Sequence, residues 1–354
     1  MEFNAKHAQD FLNYTLATVE SIQVLNDSGQ LCGRAGFTFN MVFHDGDQMP
    51  VRERFWQVFD LFCQTLPMKQ MVWWRAGTPT PFLGKRAQKQ LAELKMNAQR
   101  PTSAILIKMA SDNPAHKKNA EPFWGDHAQE YLIKTDLQNT FFTWHKHNLR
   151  GCGPSMSMVR LGLPVAWIRN GGDTAGLIRR SVEIMQPFWA TAGWGIIPSI
   201  DEPFNWGGGG AQRNLYPWLL RYPELDAINS LALTKPAFNR AMSSINWINY
   251  VSDPLLDQLG GREAVRARID ASQTLSCADV GNCLMIQAGA FPTLSDAKLN
   301  QLPLPGFGEA ARLLKPIRAE GVLNEFVSRT GSNGSNDENW QRDCAAWFSR
   351  FDQC

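Results

Sequence analysis

Segments rich in β-branched and aromatic residues occur in groups between helical stretches in this chain, not in strict alternation with them. Strict alternation would build a parallel, doubly wound sheet, because parallel neighbours need a crossover between them. Grouped strands can instead pair through short turns and leave the helices to cover a face. The pattern predicts an α+β fold: mixed or antiparallel sheets with packed helices, in a single compact unit. Ser21–Leu25 and Gly36–Phe43 flank Asn26-Asp-Ser-Gly29 and read as a hairpin. Pro50 opens a helix in which Val51, Phe55, Val58, Phe59, Phe62 and Leu66 recur at helical spacing. Met71–Trp74, Ala104–Met109, Glu130–Thr135, Thr140–Trp144 and Met156–Leu161 read as strands, Gly77–Pro81 as a loop and Lys85–Asn97 as a helix.

Further on, Asp173 or Thr174 caps a helix that buries Leu177, Ile178, Val182, Met185 and Trp189. Gly193–Ile200, Ser244–Val251 and Cys283–Ala288 are further strands, and Pro203–Ala211 is a glycine-rich loop. Helices are expected at Thr234–Met242, from Asp253-Pro254 to Gly260-Gly261, onward through Ile269, and over Gly306–Glu320. The domain reading is one α+β unit at 1–328, a polar linker at 329–337 and an amphipathic helix at 338–354. That helix sets Trp340, Cys344, Trp347, Phe348 and Phe351 on one face and docks on the domain.

Charge narrows the function. The chain has 35 basic and 33 acidic residues among 354, a net charge of +2. This is too close to neutral for phosphate binding or for DNA mimicry by charge, and it favours shape and local contacts. No stretch is long and apolar enough for a bilayer, and the N-terminus lacks a basic region followed by an apolar one, so a cytoplasmic protein without a membrane partner is expected. Seven widely spaced cysteines, with no Cys-x-x-Cys pair, fit reduced thiols.

Chemistry-bearing motifs are incomplete. The run Gly207–Gly210 continues into Ala211-Gln212, not into the Gly-Lys-Ser/Thr of a phosphate loop. Gly153-Pro-Ser-Met-Ser157 lacks the last glycine of a nucleophile elbow. His145 and His147, with Asp126 or His127, form a weak metal pattern. Asp45 and Asp47 are better explained by turn and cap duty before Pro50. No catalytic residue, metal ligand or cofactor is assigned.

Between Tyr216 and Arg318 a series of short motifs follows in order: Tyr216-Pro-Trp218, Tyr222-Pro-Glu-Leu-Asp226, Ile245-Asn-Trp-Ile-Asn-Tyr-Val251, Leu255-Leu-Asp-Gln-Leu-Gly-Gly261, Met285-Ile-Gln-Ala-Gly289 and Leu313-Leu-Lys-Pro-Ile-Arg318. Leu163-Pro-Val-Ala-Trp167 and Gly193-Trp-Gly195 precede them. The order resembles the TsiV-type family of type VI secretion immunity proteins, best over 160–318. The resemblance implies an inhibitor without catalytic activity. Its partner would be a cognate toxin effector, a nuclease of the VRR-Nuc type in the first instance, encoded by an adjacent gene. The motif residues themselves read as structural. The contact candidates are Trp124 and Asp126 in one loop, Phe204 and Trp206 beside the glycine run, and Arg213, since aromatic and arginine side chains anchor protein interfaces. Competing readings are an adaptor that loads an effector onto the secretion apparatus, and a tryptophan-rich ligand-binding protein or enzyme in which Trp124, His127, His145 and His147 line a cleft.

Overall fold

A computed structural model describes residues 5–25, 29, 31–46, 48–66, 68, 71–75, 78–81, 83–97, 99, 106–111, 132–137, 157–198, 211–227, 240–319, 342 and 345–352. Helix α1 (Ala5–Ser21) leads into β1 (Gln23–Leu25), which pairs with the long β2 (Leu31–Phe43) in the expected hairpin. Helix α2 (Met49–Thr65) follows, with Pro50 in its first turn. Gln48 occupies the N-cap without a side-chain bond, while Asp45 sits in the turn ahead of it at φ 59°.

Strands β3 (Met71–Arg75) and β4 (Thr78–Pro81) form the next hairpin, before α3 (Lys85–Asn97). The expected loop at 77–81 is thus corrected at 78–81. Pro79 and Pro81 have no N–H to donate, but β4 ends the sheet, where an unpaired side costs nothing. Strands β5 (Leu106–Ser111), β6 (Leu132–Leu137) and β7 (Ser157–Leu163), then helices α4 (Val165–Arg169) and α5 (Thr174–Met185), complete the first half. Asp173 caps α5 by accepting the Gly176 N–H at 2.8 Å. Gln186, at φ 50°, ends α5, so Trp189 opens β8 (Trp189–Pro198) instead of extending the helix.

The second half holds α6 (Ala211–Arg221), β9 (Ile248–Ser252), α7 (Asp253–Leu256), α8 (Arg262–Asp270), β10 (Leu275–Val280), β11 (Cys283–Ala288) and α9 (Pro305–Leu314). Gly260 and Gly261 sit at φ 99° and 94°, between a short 3-10 turn and α8, where a side chain would be strained. The expected strand at Thr140–Trp144 and residues 234–239 of the expected helix Thr234–Met242 lie outside the described residues; at its end no α-helix forms, because Met242 instead bridges to Arg318, its N–H donating to the Ile317 carbonyl.

Among the described residues, eleven strands join in one sheet of order β10-β11-β9-β8-β2-β7-β6-β5-β3-β4, with β1 also on β2. Every pairing in it is antiparallel. Strand β2 is buried on both faces from Ala35 to Phe43, and Phe55, Val58, Phe59 and Phe62 of α2 are buried as well. Helix α2 packs on α5, whose Leu177, Ile178 and Val182 are buried.

Across four neighbouring strands one row is polar, and it gives way to Ile286 on β11. Arg160, Asn40, Thr191 and Asn249 stand in register on β7, β2, β8 and β9, and all four are buried. Arg160 Nε donates to Asn40 Oδ1 at 3.0 Å, and Asn249 closes a turn by exchanging bonds with both backbone groups of Asn246. Arg160, Asn40 and Asn249 are tolerated in the interior because they are hydrogen-bonded, whereas Thr191 Oγ1 finds no partner among the described residues.

The C-terminal segment 345–352 seals the second half of the sheet. Trp347 and Phe351 are buried, and the Phe351 ring lies 5.1 Å from that of Phe307 on α9. Arg350 sits 4.0 Å above the Trp347 ring and donates to the carbonyls of Pro223 (2.7 Å) and Ile245 (3.1 Å).

Candidate functional site

Helix α6 carries a candidate surface for a partner among the described residues. Its sequence Ala211–Arg221 is amphipathic: Leu215 and Leu219 are buried, Pro217 is exposed, and Asn214, Trp218 and Arg221 are half-buried. Pro217 gives no N–H to the carbonyl of Arg213, a local gap that packing must offset. The helix is held at both ends. Near its start, Asn214 Nδ2 donates to the Leu25 carbonyl of β1 at 2.8 Å. At its end, Arg221 donates from Nε and Nη2 to Asp296, at 3.0 Å and 2.6 Å. Asp296 in turn caps the 3-10 turn Ala297–Leu299 by accepting the Lys298 N–H.

An aromatic cluster forms around the same helix. The rings of Trp218 and Tyr222 stack at 6.2 Å and 10°, and Arg221 lies 5.0 Å over the Tyr222 ring. Tyr14 of α1 is close enough to add to the electrostatic environment of both Arg221 and Tyr222. The hydrogen bonds between Arg221 and Asp296 hold the guanidinium above its usual range and the carboxyl below its own.

Exposed large apolar side chains gather here. Among the described residues there are seven: Tyr14, Leu25, Leu83, Met96, Leu299, Leu302 and Leu304. Only Leu83 and Met96 lie elsewhere, beside and on α3. Leu299 and Leu302 are 60% and 73% exposed. Beside Leu304 a groove of about 390 Å³ runs between Gln273–Ser276 at the start of β10, Gln287 and Gly289 at the end of β11, and Pro305.

The motif Tyr222-Pro-Glu-Leu-Asp226 explains why α6 is fixed in place. Its backbone bridges to β8, with Asp226 N–H donating to Trp194 O at 3.0 Å and Ile196 N–H donating to Asp226 O at 2.8 Å. Glu224 is buried and accepts the Ser295 N–H and hydroxyl, at 3.1 Å and 3.0 Å, which anchors the chain next to Asp296. Burial pushes the Glu224 carboxyl up to about 7, against the pull of the Ser295 bonds. Asp226 accepts the Ser244 hydroxyl at 2.7 Å and is also raised by burial, opposed by Arg350. Gly195 is required at this crossing: a Cβ there would collide with Thr38 Oγ1 and with the Asp226 carbonyl, at 2.9 Å from the latter. Gly193 makes the same allowance for the Asn246 side chain. The motif residues are therefore structural, as the sequence suggests.

Of the contact candidates, Trp124, Asp126, Phe204 and Trp206 lie outside the described residues. Arg213 is in the first turn of α6, with its side chain not described. The histidines His127, His145 and His147 also lie outside. Among the described residues no group of three acidic, histidine or cysteine side chains could hold a metal ion, and no helix is long and apolar enough to cross a membrane. Cys63, Cys277 and Cys283 are free thiols, and burial pushes Cys63 and Cys283 up to about 12, which makes them unreactive. Tyr14, Leu299 and Leu302 were not singled out by sequence, because a lone apolar residue in a polar stretch carries no periodic signal.

Residues 105–351, more than half of the chain, match the TsiV family, described as type VI immunity for VRR-NUC. The chain belongs to the TsiV family. Its function is type VI immunity, directed at an effector of the VRR-NUC class. The match begins well before 160, where the sequence motifs become dense. The Pseudomonas aeruginosa T6SS protein PA0821 has the same fold: TM-score 0.68 at 19% identity, covering 96% of this TsiV chain and 90% of its own. No curated protein matches the sequence. Tyr14 and Leu25 fall before the family match, and α6 with the 292–304 loop falls inside it, so the surface of this TsiV protein joins both parts.

Proposed function

We propose that this protein acts in the cytoplasm as a stoichiometric inhibitor, forming a tight one-to-one complex with a VRR-NUC nuclease effector encoded by an adjacent gene, and that it catalyses no reaction. Membership of the TsiV family is the observation that carries this reading. A single free nuclease is dangerous to its host, so the complex must be long-lived. Nanomolar affinity requires about 12 kcal/mol of net binding. Interfaces burying roughly 1,600 Å² reach it when a few aromatic or arginine anchors are well packed. The surface around α6 has residues of that kind.

The test is co-expression of this chain with the neighbouring nuclease in a sensitive host. Survival, with both proteins eluting as one species in size-exclusion chromatography, supports the reading. Death of cells that contain folded protein and active nuclease, with no complex recovered, defeats it. Survival without any complex would instead point to chemical inactivation of the effector, and mass spectrometry of the recovered nuclease would show it.

A further inference from the structure

We infer that the effector docks on the surface around α6, and that its complementary face is apolar at the centre and acidic at the rim. This rests on the immunity function proposed above.

Three observations converge on α6. The first is concentration. Five of the seven exposed large apolar side chains among the described residues lie on elements flanking α6: Tyr14, Leu25, Leu299, Leu302 and Leu304. These elements are tied to the helix by the Asn214–Leu25 bond and the Arg221–Asp296 pair, so the apolar groups sit on a fixed frame. Exposed apolar groups concentrated on one frame favour an interaction site over groups scattered singly across the surface.

The second is composition. Trp218 and Arg221, half-buried, and Tyr14, exposed, are side chains of the kinds that dominate the energy of protein interfaces, while the buried Tyr222 supports Trp218 from beneath. The Trp218–Tyr222 stack and the Arg221 fork hold their rotamers before any partner arrives. Preorganisation of this sort lowers the entropy cost of binding.

The third is charge. On the described surface of α6 and the loop 292–304, Arg221 and the exposed Lys298 oppose a single carboxylate, Asp296, which Arg221 already engages. Glu224 and Asp226 lie next to this frame but are buried and do not offset it at the surface. A partner with carboxylates around an apolar centre is attracted and oriented by this arrangement. A second copy of the same chain would bring like charges together and is disfavoured.

The experiment measures the affinity of purified variants for a catalytically inactive form of the neighbouring nuclease. Leu299→Asp/Leu302→Asp places carboxylates at the most exposed positions of the surface. Leu83→Asp/Met96→Asp makes the same change at side chains of similar exposure, 57% and 63%, near α3. The first pair is expected to weaken binding by at least about 30-fold, the threshold of a hot spot, with an unchanged melting temperature. The second pair is expected to bind like the wild type. Lys298→Glu should slow association and remove part of its salt dependence. If the wild type binds and all three variants match it, the docking surface is wrong while the immunity reading stands. If the wild type self-associates and Leu299→Asp/Leu302→Asp makes it monomeric with effector binding intact, the surface belongs to a homodimer and the inference fails. If the wild type neither binds the nuclease nor protects cells, the immunity reading itself falls.

Discussion

Arg221 grips Asp296 with two donors, Nε at 3.0 Å and Nη2 at 2.6 Å, and this pair joins the end of α6 to the loop carrying Leu299 and Leu302. The residues are 75 positions apart in sequence. Asp296 is only 6% exposed while Arg221 is 31% exposed, so the carboxylate depends on the pair more than the guanidinium does. Asp296→Ala removes the pair and the cap on the 297–299 turn together. It should lower stability by about 2 kcal/mol in urea denaturation, between a surface pair and a fully buried one. Arg221→Lys should recover only part of the wild-type stability, because an ammonium cannot reproduce the planar fork.

Glu224 makes stability depend on pH. Its carboxyl is raised from 4.5 to about 7 by burial, so the folded state holds a proton more tightly than the unfolded state does. The stability it contributes is present below about 4.5 and is lost as pH rises through about 7. Glu224→Gln should flatten the stability profile between pH 5 and pH 8 by on the order of 1 to 3 kcal/mol, since each tenfold difference in proton affinity between the two states is worth about 1.4 kcal/mol. A profile identical to the wild type would show that Glu224 stays ionised throughout that range.

Arg350 holds the C-terminal segment by cation and ring together. It contacts the rings of Trp347 and Phe351 at 4.0 Å and 4.5 Å, and its charge opposes the buried carboxyls of Asp226 and Glu224. Burial lowers its guanidinium to about 10, which still leaves it charged at neutral pH. Arg350→Ala should cost about 3 to 5 kcal/mol, since both carboxyls lose their cation and three carbonyls lose a donor. Limited proteolysis should then cut near the C-terminus first.

Gly195 separates packing from backbone effects. Its backbone is ordinary for a strand, so Gly195→Ala costs nothing in conformation and acts only through contact with Thr38 and Asp226. The expected loss is about 1 to 3 kcal/mol, as for other overpacked interiors. Thr38→Ser/Gly195→Ala removes the Thr38 methyl while leaving the colliding hydroxyl, and should recover at most a part of the loss.

Much of the fold was legible because it rests on local periodicity. The β1–β2 hairpin, α2 with its proline start, α3, α5 with its Asp173 cap, the Gly260-Gly261 stop and β11 all follow from residues a few positions apart. What escaped sequence reading has a physical reason in each case. Two prolines disguised β4, which is possible only because β4 lies at the sheet edge. A proline in its middle disguised α6, which survives through burial of Leu215 and Leu219. Trp189 fits the helical period of α5, but Gln186 turns the chain before reaching it.

The candidate surface divides in the same way. Sequence directed attention to the glycine-rich stretch and to Arg213, which lead into and open α6, and the order of its motifs pointed to immunity. Those are properties of contiguous residues, and the local chemistry of turns, caps and periodic apolar positions determined them. That Tyr14, Leu25, Arg221 and Asp296 come together around α6 was decided by tertiary structure alone. Long-range antiparallel pairing and the buried Glu224–Ser295 and Asp226–β8 bonds bring residues up to 282 positions apart onto the same frame. Such closures are set by the summed burial and hydrogen bonding of the whole sheet, a balance that no short stretch of sequence carries.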